Sequence, residues 1–308
     1  MLATLPTYRG EALDESLLGP MVDSMPLLDD VAALRERLAT DGYLYLPGFH
    51  DRDAILAGRR AICEKLARGG ALDTENHDLL DGVIKPGGRA PGFAGGLLRE
   101  MFSEQWPLIH NPLYTGRLME LFRSLFAEDV RHYDFTWMRL VNPGPATPLH
   151  ADVVYMGRGT HELFTVWTPW GDRTADDGSD AGGLVVLDGS HRRGDLLQDY
   201  WNIDVDSYCT NKDDKRDGGA KYHSGAIQGS LPELKQSLGG TFRDADYRMG
   251  DLVLFHVHLV HGGTDNRSNR VRLSTDTRYQ RAREAIDERW IGEKPPAHGP
   301  NAKKGMIC

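Results

Sequence analysis

Cysteine is scarce in this 308-residue chain: Cys63, Cys209 and Cys308 are an odd number at wide, unpatterned spacing. That excludes a disulfide framework and a zinc knuckle, and it fits a reducing, cytoplasmic setting. Positive charge is short too, with 36 Lys and Arg against 45 Asp and Glu and a formal net charge of −9. A chain so charged repels polyanions, which argues against nucleic acid as a partner. No stretch approaches the length of apolar chain that a membrane span needs, and residues 1–8 lack a basic region followed by an apolar run, so neither a span nor a signal peptide is expected. Internal repeats, heptads and a phosphate-cradling loop are also missing. The length alone suffices for a full core, so no metal or disulfide is needed merely to hold the chain together.

Along the chain, residues 1–26 mix Gly, Pro and charges without sustained period and read as an arm over the domain or as partly disordered. From Leu27 the apolar residues Leu27, Val31, Leu34 and Leu38 share a helical stripe that stops at Asp41-Gly42. Tyr43 to Leu46 reads as a short strand. A second helix, capped by Asp51 or Asp53, carries Ile55, Ile62 and Leu66 to Gly69-Gly70. Residues 71–98, rich in Gly, Asp and Pro, read as loops. A third helix is expected from Thr115 to Phe126, with Leu118, Leu121, Phe122 and Leu125 on one face. Strands follow at 130–141, 162–170, 184–187, 241–247, 252–260 and 271–280, and the acidic connection 172–183 reads as a solvated loop. The polar segment 192–240 is a long excursion, either a lid or a plain insertion. Residues 284–308 form a charged tail. Helices first and many short strands afterwards imply an α+β chain whose core is an antiparallel sandwich or barrel.

The chemistry concentrates in two places. His150-Ala151-Asp152 follows the break Asn142-Pro143-Gly144-Pro145, and on a strand its His and Asp would point to one face, as a divalent metal requires. Alone, such a triplet is a weak signal. About a hundred residues later, Gly250 to Gly263 adds His256, His258 and His261, and Arg272 and Ser274 follow. Two His and one Asp leave half of an octahedral metal's positions open, which favours non-haem Fe(II) binding a co-substrate and oxygen. Zinc also accepts these three groups. Arg272 tips the preference to iron. It lies beyond the polar turn 265–269, on what would be the strand antiparallel to that of His261, where its planar fork suits a carboxylate and Ser274 adds a hydroxyl on the same face. Strand parity does not choose among the histidines, because His256 and His258 share one face and His261 takes the other.

The ordered pieces Asp41-Gly42-Tyr43-Leu44-Tyr45-Leu46-Pro47-Gly48-Phe49, Pro148 to Asp152, Gly183 to His191, and Gly250 to Gly263 with Asn266 and Arg272 resemble the phytanoyl-CoA dioxygenase family of Fe(II)/2-oxoglutarate-dependent oxygenases. The resemblance runs from about Asp41 to Tyr279. It implies a double-stranded β-helix, or jelly roll, with flanking N-terminal helices, occupying residues 27–283 as one domain. It implies that His150, Asp152 and His261 bind iron and that Arg272 binds the distal carboxylate of 2-oxoglutarate, with O2 as the second co-substrate. Trp167 matches a position lining the co-substrate pocket, although a large aromatic is also simply core, and Met138 matches less closely. His256 then stands behind the metal ligands or in the core, His191 is a turn residue, and Arg270 and Arg278 are rivals of Arg272 that miss the family spacing. The activity implied is oxidation of a small-molecule metabolite, most simply hydroxylation, with 2-oxoglutarate decarboxylated to succinate. Asp152 is retained where halogenating members have a small residue. Desaturation or cyclisation by the same site, a non-catalytic jelly-roll binding protein and a metal hydrolase are the alternatives. Substrate choice falls to residues 71–98, with Lys85 and Arg89, to residues 192–240 and to Arg139. The oligomeric state, monomer or homodimer, is left open.

Overall fold

The computed structural model of the chain describes residues 5–14, 16–95, 98–174, 178–208 and 225–298. It opens with a hairpin of β1 (Thr7–Tyr8) and β2 (Glu11–Ala12), then β3 (Leu18–Pro20). Helix α1 (Val31–Asp41) begins where the Asp30 carboxylate accepts from Ala33 N, and it ends at Gly42 with φ +84°. A Cβ at Gly42 would lie 2.4 Å from His191 Nδ1, so both the conformation and the space demand glycine there. Next come β4 (Tyr43–Leu46) and α2 (Arg52–Arg68), the latter capped by Asp51. Strand β5 (Gly92–Gly95) precedes three helices: α3 (Leu98–Phe102), α4 (Trp106–Tyr114) and α5 (Gly116–Phe126). The remaining elements are β6 (Val130–His132), β7 (Trp137–Val141), α6 (Val153–Met156), β8 (Phe164–Pro169), β9 (Leu184–Leu187), α7 (Gly194–Trp201) and α8 (Leu231–Leu238), and then β10 (Phe242–Asp244), β11 (Leu252–His256), β12 (His261–Gly263) and β13 (Arg272–Arg281).

Two sheets make the core. The larger runs β4-β11-β8-β13-β7-β5, with β6 also on β13, and the smaller runs β12-β9-β10-β3. The large sheet is antiparallel throughout, while β3 joins β10 in parallel. Alternation assigns its two faces. Phe164 and Val166 of β8, Met138 and Leu140 of β7, and Leu273 and Tyr279 of β13 turn outward into one apolar cluster with α2, α4 and α5. Residues of opposite parity, among them Trp137, Thr165, Trp167, Arg272, Ser274, Asp276 and Arg278, face the interior between the sheets. No helix among the described residues is long and apolar enough to cross a membrane.

Several elements differ from the sequence expectation, each for a physical reason. The N-terminal residues are built into the fold: the Asp265 carboxylate accepts from Thr7 Oγ1, Arg9 N and Gly10 N, and β3 completes the small sheet. Residues 71–98 include β5 as an edge strand on β7. Helix α4 was hidden by Pro107 and Pro112, but Pro107 sits in the first turn, where its missing N–H costs nothing. The strand expected over 130–141 breaks in two, because Asp134 N and Phe135 N donate to Trp290 O instead of to a neighbouring strand. The strand expected at 241–247 shrinks to β10, and β11 stops at His256, where Leu259 N turns back to His256 O. The connection 172–183 is not simply solvated: Asp180 is buried, paired with Arg173 at 2.8 Å, and Arg173 meets Asp244 at 2.7 Å. The excursion 192–240 contributes α7 and α8, and its residues 209–224 lie outside the described residues, as do 299–308 of the tail.

Candidate metal centre

His150 and His261 are register partners. Each donates its backbone N–H to the other's carbonyl at 2.8 Å, which sets the two side chains beside each other with ring centroids 4.3 Å apart. Asp152 does not reach them as the second position of a strand, as its spacing suggested. The chain turns at Asp152 into α6, with φ −63° and ψ −24°, and the turn swings the carboxylate inward. One ligand atom from each of the three residues lies within 4.8 Å of the others. The Asp152 Oδ1 atom is 3.7 Å from Nε2 of His150 and 3.7 Å from Nε2 of His261.

The protonation pattern suits a metal. His150 Nδ1 donates to Pro148 O at 2.8 Å and His261 Nδ1 to Leu259 O at 2.9 Å, which leaves both Nε2 atoms as acceptors aimed at Asp152. Burial, followed by the charge of His261, pushes the His150 imidazole down to about 3, so it is neutral at physiological pH. Burial also lowers His261, against the opposing pull of Asp152. Burial works against the charge of Asp152, but Arg278, the two histidines and a bond from Thr165 outweigh it and hold the carboxyl well below its usual range. Two neutral imidazoles and an ionised carboxylate at one buried point form a donor set that a divalent metal fits.

Backbone support comes from two segments distant in sequence. Leu149 N donates to Tyr8 Oη at 3.1 Å, and Ala151 N donates to Tyr200 Oη of α7 at 2.9 Å. Neither tyrosine was singled out from sequence, since both lie far from the motif and nothing local marks them.

Arg272 faces the same interior from β13. That strand is not paired with the one bearing His261: β12 belongs to the small sheet and β13 to the large one, so the arginine and the histidine meet across the sandwich. Arg272 Nη1 donates to Gly183 O at 3.2 Å and Thr264 O at 3.4 Å, and no carboxylate pairs with it among the described residues. Its Nε and the Ser274 hydroxyl are buried without a hydrogen-bond partner among the described residues. Burial, and then the charge of Arg173, pushes the Arg272 guanidinium down to about 10. A cation with no counter-ion among the described residues, beside a hydroxyl that no other group uses, is a donor set that a carboxylate fits. The pocket over it is lined by His150, His261, Trp167, Gly263, Arg139 and Asp276.

The remaining candidates separate. Trp167 lines that pocket, edge-on to Tyr247 at 4.7 Å between centroids. Arg139 lines it too, with Nε donating to Asp276 at 2.8 Å. Met138 does not reach it, because strand alternation sends its side chain into the cluster under the helices. Arg270 donates to the carbonyls of Arg173 and Ser179 outside the pocket. Arg278, a rival of Arg272 by parity, pairs instead with Asp152 at 2.8 Å. His191 and His256 stand away from the triad, in contact with each other at 5.7 Å. In the loop 71–98, Lys85 is half-exposed and pairs loosely with Glu75 at 3.7 Å.

Comparisons with known proteins agree with this geometry. The profile of the phytanoyl-CoA dioxygenase (PhyH) family matches residues 38–274. A 1-deoxypentalenic acid 11-beta-hydroxylase of Streptomyces arenae is 26% identical over 281 residues, spanning 84% of this chain and 84% of that protein. Among solved structures, the chain is similar to EctD from S. alaskensis with 2-oxoglutarate and 5-hydroxyectoine, with a TM-score of 0.56, 17% identity, and coverage of 95% of this chain and 88% of that one. It is also similar to the non-heme alpha ketoglutarate dependent carbocyclase SnoK from nogalamycin biosynthesis, with a TM-score of 0.53, 15% identity, and coverage of 87% and 89%. At such identities the solved structures speak for the fold, an α+β chain with a jelly-roll core.

Proposed function

The chain belongs to the phytanoyl-CoA dioxygenase family, and from that premise we propose how its residues divide the work of a non-haem Fe(II)- and 2-oxoglutarate-dependent oxygenase of a small-molecule metabolite. His150, Asp152 and His261 hold the iron. Arg272 and Ser274 take the distal carboxylate of 2-oxoglutarate, and Trp167 walls the space between. The observation that carries this division is a convergent His-Asp-His set whose two histidines share one pocket with a guanidinium that has no carboxylate partner among the described residues. When bound, the iron supplies oxygen activation coupled to decarboxylation of 2-oxoglutarate to succinate, with hydroxylation of the substrate as the outcome.

The protein's part is orientation and exclusion of water. The carbonyls of Pro148 and Leu259 fix the tautomer and direction of both imidazoles. The pairing of His150 with His261 makes their separation a property of the backbone, and the oxygens of Tyr8 and Tyr200 hold the intervening chain. Arg139 enters the pocket with its charge already met by Asp276, so we assign it to shaping the pocket rather than to neutralising a substrate anion.

Anaerobic addition of Fe(II) and 2-oxoglutarate tests the reading. The wild-type protein should develop the weak visible charge-transfer band of the chelated co-substrate, and in air it should form succinate. Wild-type protein that gives neither band nor succinate would overturn it.

A further inference from the structure

The two oxygens of Asp152 have different surroundings. Oδ1 faces the histidines, 3.7 Å from each Nε2. Oδ2 faces away and accepts from Thr165 Oγ1 at 2.6 Å and from Arg278 Nη2 at 2.8 Å. Those donors are direct register partners, Thr165 on β8 and Arg278 on β13, so the sheet delivers a hydroxyl and a guanidinium to one atom as a pair. Both are buried, at 0% and 1% exposure.

Ordinary packing does not account for Arg278. A guanidinium removed from water loses several kcal/mol of solvation before any attraction is counted. Its Nε and Nη1 find no partner among the described residues, and its outer face rests on the Trp137 ring at 4.3 Å. The carboxylate it meets is Asp152. Four inward positions on β13 thus form one row: Arg272 and Ser274 beneath the co-substrate pocket, Asp276 beside Arg139, and Arg278 behind the metal ligand.

Resting on the assignment of His150, Asp152 and His261 as ligands, we propose that Arg278 and Thr165 are positioning residues that restrict Asp152 to coordination through a single oxygen. A carboxylate free at both oxygens chelates readily, and a second Asp152 oxygen on the metal would occupy a position that the co-substrate or oxygen needs. With Oδ2 saturated by two strong donors, only Oδ1 is presented. Thr165 and Arg278 also hold the carboxylate in place before any metal arrives.

Cobalt(II) titration of the full chain tests this, because its visible bands report coordination number without turnover. Relative to wild type, Arg278→Met should bind Co(II) about 10- to 100-fold more weakly, the range typical of partners behind a ligand, with altered band intensity. Thr165→Val should shift affinity and spectrum in the same direction by less, and Arg278→Lys should recover part of the loss. In Asp152→Ala the two donors should face the vacated position as an anion site, so formate should restore Co(II) binding there and fail to do so in the Asp152→Ala/Arg278→Met double variant. Folded Arg278→Met or Thr165→Val protein with wild-type affinity and spectrum overturns the proposal, as does equal rescue by formate in both Asp152 variants. If near-ultraviolet circular dichroism shows Arg278→Met unfolded, Thr165→Val decides. Failure of wild-type protein to bind Co(II) would instead strike the ligand assignment itself.

Discussion

Two groups of histidines interleave along the sequence, and only one is built to hold a metal. In the first, His150 and His261 tie the same ring nitrogen, Nδ1, to a carbonyl and turn Nε2 toward a carboxylate. In the second, His161, His258, His256 and His191 touch in that order through edge-on and tilted contacts, with successive ring centroids 5.0, 5.1 and 5.7 Å apart. Here the tied nitrogens are mixed: Nε2 of His161 and His191 bond to carbonyls, whereas Nδ1 of His256 accepts from His258 N. No carboxylate pairs with any of the four among the described residues, and His258 is covered by the Trp201 ring at 4.3 Å. Proximity of imidazoles is therefore not the criterion. What separates the groups is a shared tautomer and an anion at the point of convergence.

Replacing one histidine from each group puts that contrast at greatest risk. His261→Ala should lower metal affinity by more than about 100-fold, beyond what the loss of an outer partner costs, and should abolish succinate formation. His258→Ala, three positions away, should leave metal affinity unchanged. Isothermal titration with Fe(II) or Co(II) under nitrogen reads both. Comparable losses from the two substitutions would erase the distinction and move the third ligand to the turn before β12.

A second, smaller effect concerns the charge that lacks a partner. Arg272→Met should raise the 2-oxoglutarate concentration for half-maximal rate by roughly 10- to 100-fold, the scale of one or two charge-assisted hydrogen bonds, while metal affinity stays constant. Ser274→Ala should act in the same direction by several-fold at most. Because the Arg272 guanidinium donates to carbonyls alone among the described residues, Arg272→Met should also leave the melting temperature unchanged or higher, a gain in stability at the expense of function. A lower melting temperature with an unchanged 2-oxoglutarate requirement would show that Arg272 is structural.

Much of this contrast was legible in the sequence, though for partly different reasons. The helices α1, α2 and α5 and the strands β4, β8 and β9 stand where their apolar period and their Gly or Asp boundaries place them. The His-Asp-His set with Arg272 followed from spacing and family resemblance. The local geometry behind it did not: the turn at Asp152 depends on a distant partner, Val257 O, which accepts from Val153 N where α6 starts, and the break after His256 is a local turn, Leu259 N to His256 O, in a stretch without Gly, Pro, Asn or Asp to mark it. Parity along β13 did carry a further signal. Arg272 and Arg278 on one strand face are a half-buried and a fully buried cation, each requiring an anion, and Asp152 answers one of them. Strand β5 and the divided β6 and β7 were not readable, since what ends or pairs them is a carbonyl or an edge supplied from far along the chain.

The smallest expected effect belongs to the second group of histidines and depends on its lack of an anion. Burial, and then the neighbouring charges of His258, His191 and His161, pushes His256 down to about 3. Burial, and then His161 and His191, pushes His258 down to about 4. In the unfolded chain both return to about 6.5. Between those limits the unfolded state binds protons that the folded state refuses, so stability rises with pH: the contribution is complete above about pH 6.5 and is lost as the pH falls toward 4. Both rings keep partial exposure, which makes the effect modest. Urea midpoints of wild type and His256→Phe/His258→Phe at about pH 7.5 and about pH 5 isolate it, because the metal-site histidines and the carboxylates are common to both proteins and cancel in the difference. Wild type should lose more of its midpoint on acidification than the double variant. An equal loss would mean that His256 and His258 shed their protons no more readily than in the unfolded chain, and the two histidine groups would then differ in geometry alone.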